Sequence, residues 1–228
     1  MKANYYKLLI ATDADQVGEW PQVEGFYDYS HPIDGDAYQK FDFRSDLLSI
    51  PSLDNFRLKD DAKRTDVIGN VFLTERAGLF VSDKLLRILG AFGVEISLPL
   101  EAMIHHREEV FRRSFLFFSE AVHALDFPKS VFEVNDVFPT DYSDTPLQFP
   151  DFDAYKAKWK EVVNGEGTNI IHPLRLVLKE RVHLFRAPSA PDLLASEELK
   201  DKLEEEEITG LAFNDIDFEV VIQQDGTN

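Results

Sequence analysis

Leu79-Phe80-Val81-Ser82-Asp83-Lys84-Leu85 recurs at an offset of 114 residues as Leu193-Leu194-Ala195-Ser196-Glu197-Glu198-Leu199. Each copy is an apolar triplet followed by a serine, an acid and a leucine. Three apolar residues are too few for a helix face but enough for a short buried strand. A serine in extended backbone accepts a hydrogen bond from the N–H three residues on, and so opens a helix. The acid behind it suits the positive end of the helix dipole. Leu85, Leu86, Leu89 and Phe92 then form an apolar stripe, and Gly93 stands where a left-handed C′ residue belongs. Leu199 and Leu203 repeat the spacing, and Glu197 to Glu207 reads as a charged helix. No His or Asp stands near either serine in sequence pattern, so both read as caps rather than nucleophiles, and an aspartate would cap as well. Any strand leading into a capped helix generates this pattern, so a shared local motif explains it as well as a duplication does.

The neighbouring segments read as a mixture. Tyr5 to Ala11 is a first strand, and residues 12–64, rich in Gly and Pro, are loops with short strands. Val71 to Leu73 and Leu79 to Val81 are short strands. Propensity favours helix for Glu101 to Arg113, whereas Phe115 to Phe118 suits a buried strand. Ser130 to Val134 is extended. Phe152 to Val163 is a helix capped by Asp151 or Asp153, with Phe152, Tyr155, Trp159, Val162 and Val163 on one face and Gly165 ending it. Leu174, Leu176 and Leu178 alternate as a strand, Val182 to Arg186 is another, and Ile216, Phe218, Val220 and Ile222 alternate as a third. Strands and helices intersperse without regular alternation. The expected fold class is therefore α+β, with mixed or antiparallel sheet regions, a few short packed helices and two similar Ser-capped strand–helix units. The 228 residues suit one domain, divisible into subdomains 1–125 and 126–228.

Composition narrows the function. Apolar residues make up 44%, enough for a sizeable core. There is no cysteine, so disulfides, thiolate metal sites and cysteine nucleophiles are impossible. No stretch approaches the ~20 apolar residues needed to span a bilayer, and Lys7, Asp13 and Asp15 interrupt the N-terminal apolar run. The expectation is a cytoplasmic protein. The net charge is −18. Nucleic acid and anionic membranes are poor partners for such a chain, and a basic protein is a good one.

The acids are segregated. Residues 11–36 hold seven and residues 133–153 hold six, with no Lys or Arg in either. Residues 192–219 hold eleven acids and two lysines, and the rest of the chain is net positive. The first two stretches interleave acids with aromatics. They nominate Trp20, Asp28 and Tyr29, together with Asp136, Phe138, Asp141, Tyr142 and Asp144, as partner-binding residues: aromatics as buried anchors, acids for steering. A solvated surface with aromatics pinning loops is the plainer explanation.

Catalytic signals are sparse. Asp13-Ala14-Asp15 after a strand could hold Mg²⁺, but the accompanying phosphate-binding residues are missing. Glu101, His105 and Glu109 would share a helix face with metal-ligand spacing, but H-E-x-x-H is absent, and Arg107, Arg112 and Arg113 can pair with the glutamates. There is no nucleophile elbow, Walker loop or dinucleotide fingerprint. The reading is no enzyme, no cofactor and no metal.

Several segments together resemble one bacterial family. They are Leu184-Phe185-Arg186-Ala187-Pro188, Leu194 to Leu199, and Ile208-Thr209-Gly210-Leu211-Ala212-Phe213, with Asn4 to Leu9, Thr65-Asp66-Val67-Ile68, Leu79 to Leu85, and Ala124-Leu125-Asp126 with Ser130 upstream. The chain is similar in these patches to immunity proteins of the eleventh type, first defined as a domain of unknown function, which guard bacteria against polymorphic toxins. The resemblance implies a toxin-binding protein without catalytic residues, and paired strands within 94–118 in place of the helix that propensity favours. Residues 133–170 carry none of it.

Overall fold

In the computed structural model the described residues are 2–26, 53, 56–69, 78–96, 99–118, 121–136, 146–165, 169–188 and 193–223. The chain divides into two compact units. One comprises Leu8–Ser119 and Asp201–Ala212; the other comprises Met1–Lys7, Glu120–Lys200 and Phe213–Asn228. Each has its own aromatic core. Strands and helices are mixed throughout, with parallel and antiparallel pairings, which makes the fold α+β.

The first unit is built on a six-stranded sheet. Its order is β2 (Val23–Phe26), β3 (Phe56–Leu58), β6 (Leu100–His106), β7 (Glu109–Leu116), β5 (Leu79–Val81), β4 (Val67–Ile68). Only β3 and β6 run parallel. Phe56, Phe80, Phe115 and Phe117 form a chain in its core with centroids 4.8–4.9 Å apart, edge-to-face at its two ends and tilted between Phe80 and Phe115, and the edge-to-face geometry adds to the area these rings bury. Helix α1 (Ala14–Val17) is a single turn, and α2 (Asp83–Ala91) follows β5.

Glu101 to Arg113 is a hairpin, not a helix. His106 pairs with Glu109 across the turn, and the register runs back to Leu100 opposite Phe115. Ala102, Ile104 and His106 are buried while Met103 and His105 are half-buried. Burial with period two is incompatible with a helix, where residues two apart point in opposite directions. Good helix formers were overridden by core burial, as propensity generally is. Paired strands are what the family resemblance implied for this stretch.

In the second unit a three-stranded sheet has the order β13 (Glu219–Ile222), β9 (Asn169–Leu178), β8 (Val131–Asp136). Helix α3 (Phe152–Val163) packs on it through Tyr155, whose ring centroid lies 5.4–5.5 Å from those of Phe127, Phe132 and Phe149. The alternation expected for Leu174, Leu176 and Leu178 fails at Leu174. Val131 pairs with Arg175 but Phe132 with Pro173, so Leu174 is an extra residue in a bulge. The bulge switches parity: Ile171 and Pro173 point inward before it, Leu176 and Leu178 after it, and Leu174 is exposed. Pro173, with no N–H to donate, sits where the ladder is already interrupted. The strand expected over Ile216 to Ile222 is also shorter: β12 (Leu211–Asp215) ends before it and β13 begins at Glu219, with a bend between them.

A four-stranded sheet has the order β10 (Leu184–Arg186), β11 (Leu193–Ser196), β1 (Tyr5–Ile10), β12. β1 and β12 each belong partly to both units. Helix α4 (Glu197–Glu205) follows β11. The expected strand Val71 to Leu73 lies outside the described residues.

Both serines are caps. Ser82 Oγ accepts from Leu85 N–H and Ser196 Oγ from Leu199 N–H, each at 3.2 Å. Asp151 caps α3 through Ala154 N–H at 2.8 Å. Gly93, at φ +64°, closes α2: its N–H reaches Gly90 O and Val94 N–H reaches Leu89 O, a Schellman pair.

Candidate functional site

The Ser-capped motifs share more than the caps. Before α2, β4 pairs antiparallel with β5, placing Val67 opposite Val81 and Ile68 opposite Phe80. Before α4, β10 pairs antiparallel with β11, placing Leu184 opposite Ala195 and Phe185 opposite Leu194. The residue preceding the first strand is Asp66 in one motif and His183 in the other. Ser82 N–H donates to Asp66 O, and Ser196 N–H to His183 O, both at 2.8 Å. The side chains meet as well, Ser82 Oγ on Asp66 Oδ1 at 2.6 Å and Ser196 Oγ at 2.8 Å from His183 Nδ1.

The expectation that no Asp or His serves these serines is therefore corrected: strand pairing brings one to each. Both arrangements serve the helix starts. Ser196 is 1% exposed, and both hydroxyl oxygens are engaged by a helix N–H. Asp66 Oδ2 also accepts from the N–H and hydroxyl of Thr209. Burial opposes ionisation of Asp66, but the hydrogen bonds from Ser82 and Thr209 outweigh it and hold the carboxyl below its ordinary range. Burial, with Arg181 adding to it, pushes the His183 imidazolium down.

Asp13 Oδ1 accepts from Asp15 N–H at 2.8 Å and caps α1, so its carboxylate serves the turn that holds Asp15. The helix face proposed to unite Glu101, His105 and Glu109 does not exist, because these residues sit on two strands of the hairpin. Glu101 takes Arg112 at 3.0 Å, and Glu109 takes Arg64 at 2.5 Å. His106, on the buried side, accepts from Arg64 Nε at Nδ1 (2.9 Å) and faces Asp60 O through Nε2 (3.2 Å). Those partners assign the proton to Nε2. Arg107, at φ +56° in the turn, donates twice to the same Asp60 carbonyl. Arg64 and Arg113 both lie over the Phe111 ring, 4.9 and 4.8 Å from its centroid. Among the described residues no group of three His, Asp or Glu could hold a metal ion.

Of the nominated partner-binding residues, the structure describes Trp20 and the backbone of Asp136. Trp20 is half-buried on Gly69, where a Cβ would come 2.0 Å from its ring. Asp136 ends β8. Asp28, Tyr29, Phe138, Asp141, Tyr142 and Asp144 lie outside the described residues. The third acidic stretch is described: Glu197, Glu198, Asp201, Glu204 and Glu205 are exposed on α4. Lys202 pairs with Glu205 and Glu206, at 2.9 and 2.8 Å.

One surface escaped the sequence reading. Trp159 and Val163, expected on the packed face of α3, are 39% and 48% exposed. The buried arc centres on Tyr155 and Val162 and leaves these two at its flank. Periodicity marks a stripe as apolar but not how far the core reaches around it.

Comparison with protein families finds no match for this chain, and comparison with curated proteins finds none. Among the described residues no helix is long and apolar enough to cross a membrane.

Proposed function

We propose that the chain is a cytoplasmic immunity protein that binds and neutralises a cognate, basic toxin domain. The observation that carries this reading is the segregation of charge. Acids crowd into three stretches of a chain that is otherwise net positive, and the third displays its acids outward along α4. A basic domain, as nucleases that grip phosphate commonly are, is steered toward such a surface. The patchwise resemblance to immunity proteins of the eleventh type supports the same conclusion. So do the structural tasks of the groups that could have supported an enzyme: Asp13, Ser82 and Ser196 cap helices, and His106 holds a turn. The protein acts by occupying its partner, with no cofactor and no chemistry of its own.

The test is co-expression with the protein encoded by the adjacent reading frame. The expected result is growth arrest by that protein alone and rescue by this chain through a stable complex. A toxic neighbour that this folded chain neither binds nor relieves would overturn the reading and leave an interaction module for some other partner.

A further inference from the structure

Helix α3 carries an unusual stripe. Lys156, Trp159, Lys160 and Val163 stand at i, i+3, i+4 and i+7, and so line one side of the helix. All four are exposed. Of the acids of the helix, Asp153 stands on the same side one turn before Lys156 but forms no ion pair with it, and Glu161 takes Lys158 at 2.6 Å. Several other described lysines find carboxylates, Lys7 with Asp217, Lys59 with Glu19, Lys129 with Asp126 and Lys202 with Glu205, and Lys63 and Lys179 find backbone carbonyls. Among the described residues Lys156 and Lys160 form no ion pair, although acids outnumber bases by 42 to 24. An exposed tryptophan and valine walled by two unpaired cations is a surface whose apolar centre and polar rim both await a counterpart.

We propose that this stripe is a docking surface for an acidic protein segment with apolar anchors, an amphipathic helix whose apolar side chains cover Trp159 and Val163 while its carboxylates meet Lys156 and Lys160. Charge complementarity selects that occupant. An anionic bilayer would meet the same stripe, but it would also meet a chain of net charge −18 and be repelled. A second copy docking stripe to stripe would oppose lysine to lysine. The surface begins where the second acidic stretch ends, and it takes a ligand of opposite charge.

The probe is a capped helical peptide with leucines at i, i+4 and i+7 flanked by glutamates. It carries a fluorescein label and is titrated with the full chain, so that its anisotropy reports binding by every variant. The expected result is saturable binding, weakened at least tenfold by Trp159→Ala and by Lys156→Glu with Lys160→Glu, and lost when the peptide glutamates become lysines. Circular dichroism confirms that the exposed substitutions leave the fold intact. No response at about 1 mM protein overturns the proposal, as does equal binding of the lysine peptide. Binding instead to vesicles one-third phosphatidylserine, or self-association in sedimentation equilibrium abolished by Trp159→Ala, would also overturn it in favour of those occupants. None of these outcomes depends on whether a toxin is neutralised.

Discussion

Ser82 donates its hydroxyl to Asp66 Oδ1 at 2.6 Å while accepting Leu85 N–H at 3.2 Å. The equivalent Ser196 has His183 Nδ1 as its partner at 2.8 Å. The two caps are alike in backbone and opposite in the charge their partners can carry. Alanine at either position should cost about 1 kcal/mol, the usual price of a lost N-cap. Aspartate separates them. At 82 a second carboxylate would face Asp66, so Ser82→Asp should destabilise more than Ser82→Ala. At 196 it would face an imidazole, so Ser196→Asp should cost less and raise the His183 titration. Chemical denaturation and NMR titration of His183 measure both effects. Equal tolerance of aspartate at 82 and 196 would refute the asymmetry.

Asp66 should make stability depend on pH. Its folded-state carboxyl titrates below the ordinary 3.8 because Ser82 and Thr209 donate to it more strongly than burial penalises it. A depressed acid contributes its stability above the unfolded-state value and loses it as pH falls through the folded one. Asp66→Asn should therefore lower stability at neutral pH and bring the mutant closer to wild type in strong acid. Denaturation midpoints from about pH 7 to pH 2.5 test this, and a wild-type minus mutant difference that stays constant would refute it.

What the sequence made legible was local. Helix α3 lies where the apolar spacing and Gly165 place it, with Asp151, one of its two candidate caps, at its start, and the caps at Ser82 and Ser196 follow from five or six consecutive residues. What it concealed was set by pairing. Nothing local in Glu101 to Arg113 announces that Ala102 and Ile104 face one core, and nothing in the leucines of β9 announces an extra residue opposite β8. Asp66 and His183 reach their serines across antiparallel strand pairs, so proximity in sequence was the wrong measure. Of the candidate interface, only Trp20 was both nominated and described as a side chain, and Trp159 and Val163, grouped with Tyr155 on one face, stand at its exposed flank.

Glu207 occupies φ +51°, a conformation that costs a side-chain-bearing residue about 1 kcal/mol. It is the C′ residue of α4: its N–H reaches Glu204 O, and Ile208 N–H reaches Leu203 O. Glu207 is exposed. Glu207→Gly should stabilise the protein by about 0.5–1 kcal/mol, since glycine relieves the left-handed strain at the cost of a more flexible unfolded chain. Thermal and urea denaturation check the sign, and a loss of stability would show that the glutamate side chain is needed there.

His106 should prove structural. Its Nδ1 lone pair is taken by Arg64 and its Nε2 faces Asp60 O, so neither nitrogen is offered to a metal without breaking the turn. His106→Ala should cost about 1–3 kcal/mol by leaving Arg64 and Asp60 without that partner. His105→Ala, on the half-exposed opposite face, should cost less. Elemental analysis should find no stoichiometric transition metal in wild type or either variant. One zinc per folded chain, lost with His106→Ala, would overturn this.

The proposed toxin interface makes a kinetic prediction, because steering and anchoring act on different rates. Exposed acids raise the encounter rate with a basic partner, and salt screens that effect over roughly 8 Å. Buried aromatics slow escape, since affinity differences within one interface lie mostly in dissociation. Asp141 and Asp144 fall in an acid–aromatic stretch where the family resemblance lapses, as expected if partner choice is written on a shared scaffold. Reversing both to lysine should therefore slow association, and the deficit should shrink as salt rises. Tyr142→Ala should leave association unchanged and speed dissociation by an amount worth about 1–3 kcal/mol. Binding kinetics against the cognate toxin at two salt concentrations separate the two effects. Wild-type rates in every variant, with no dependence on salt, would place the interface elsewhere and leave the acids of 133–153 as a solvated surface.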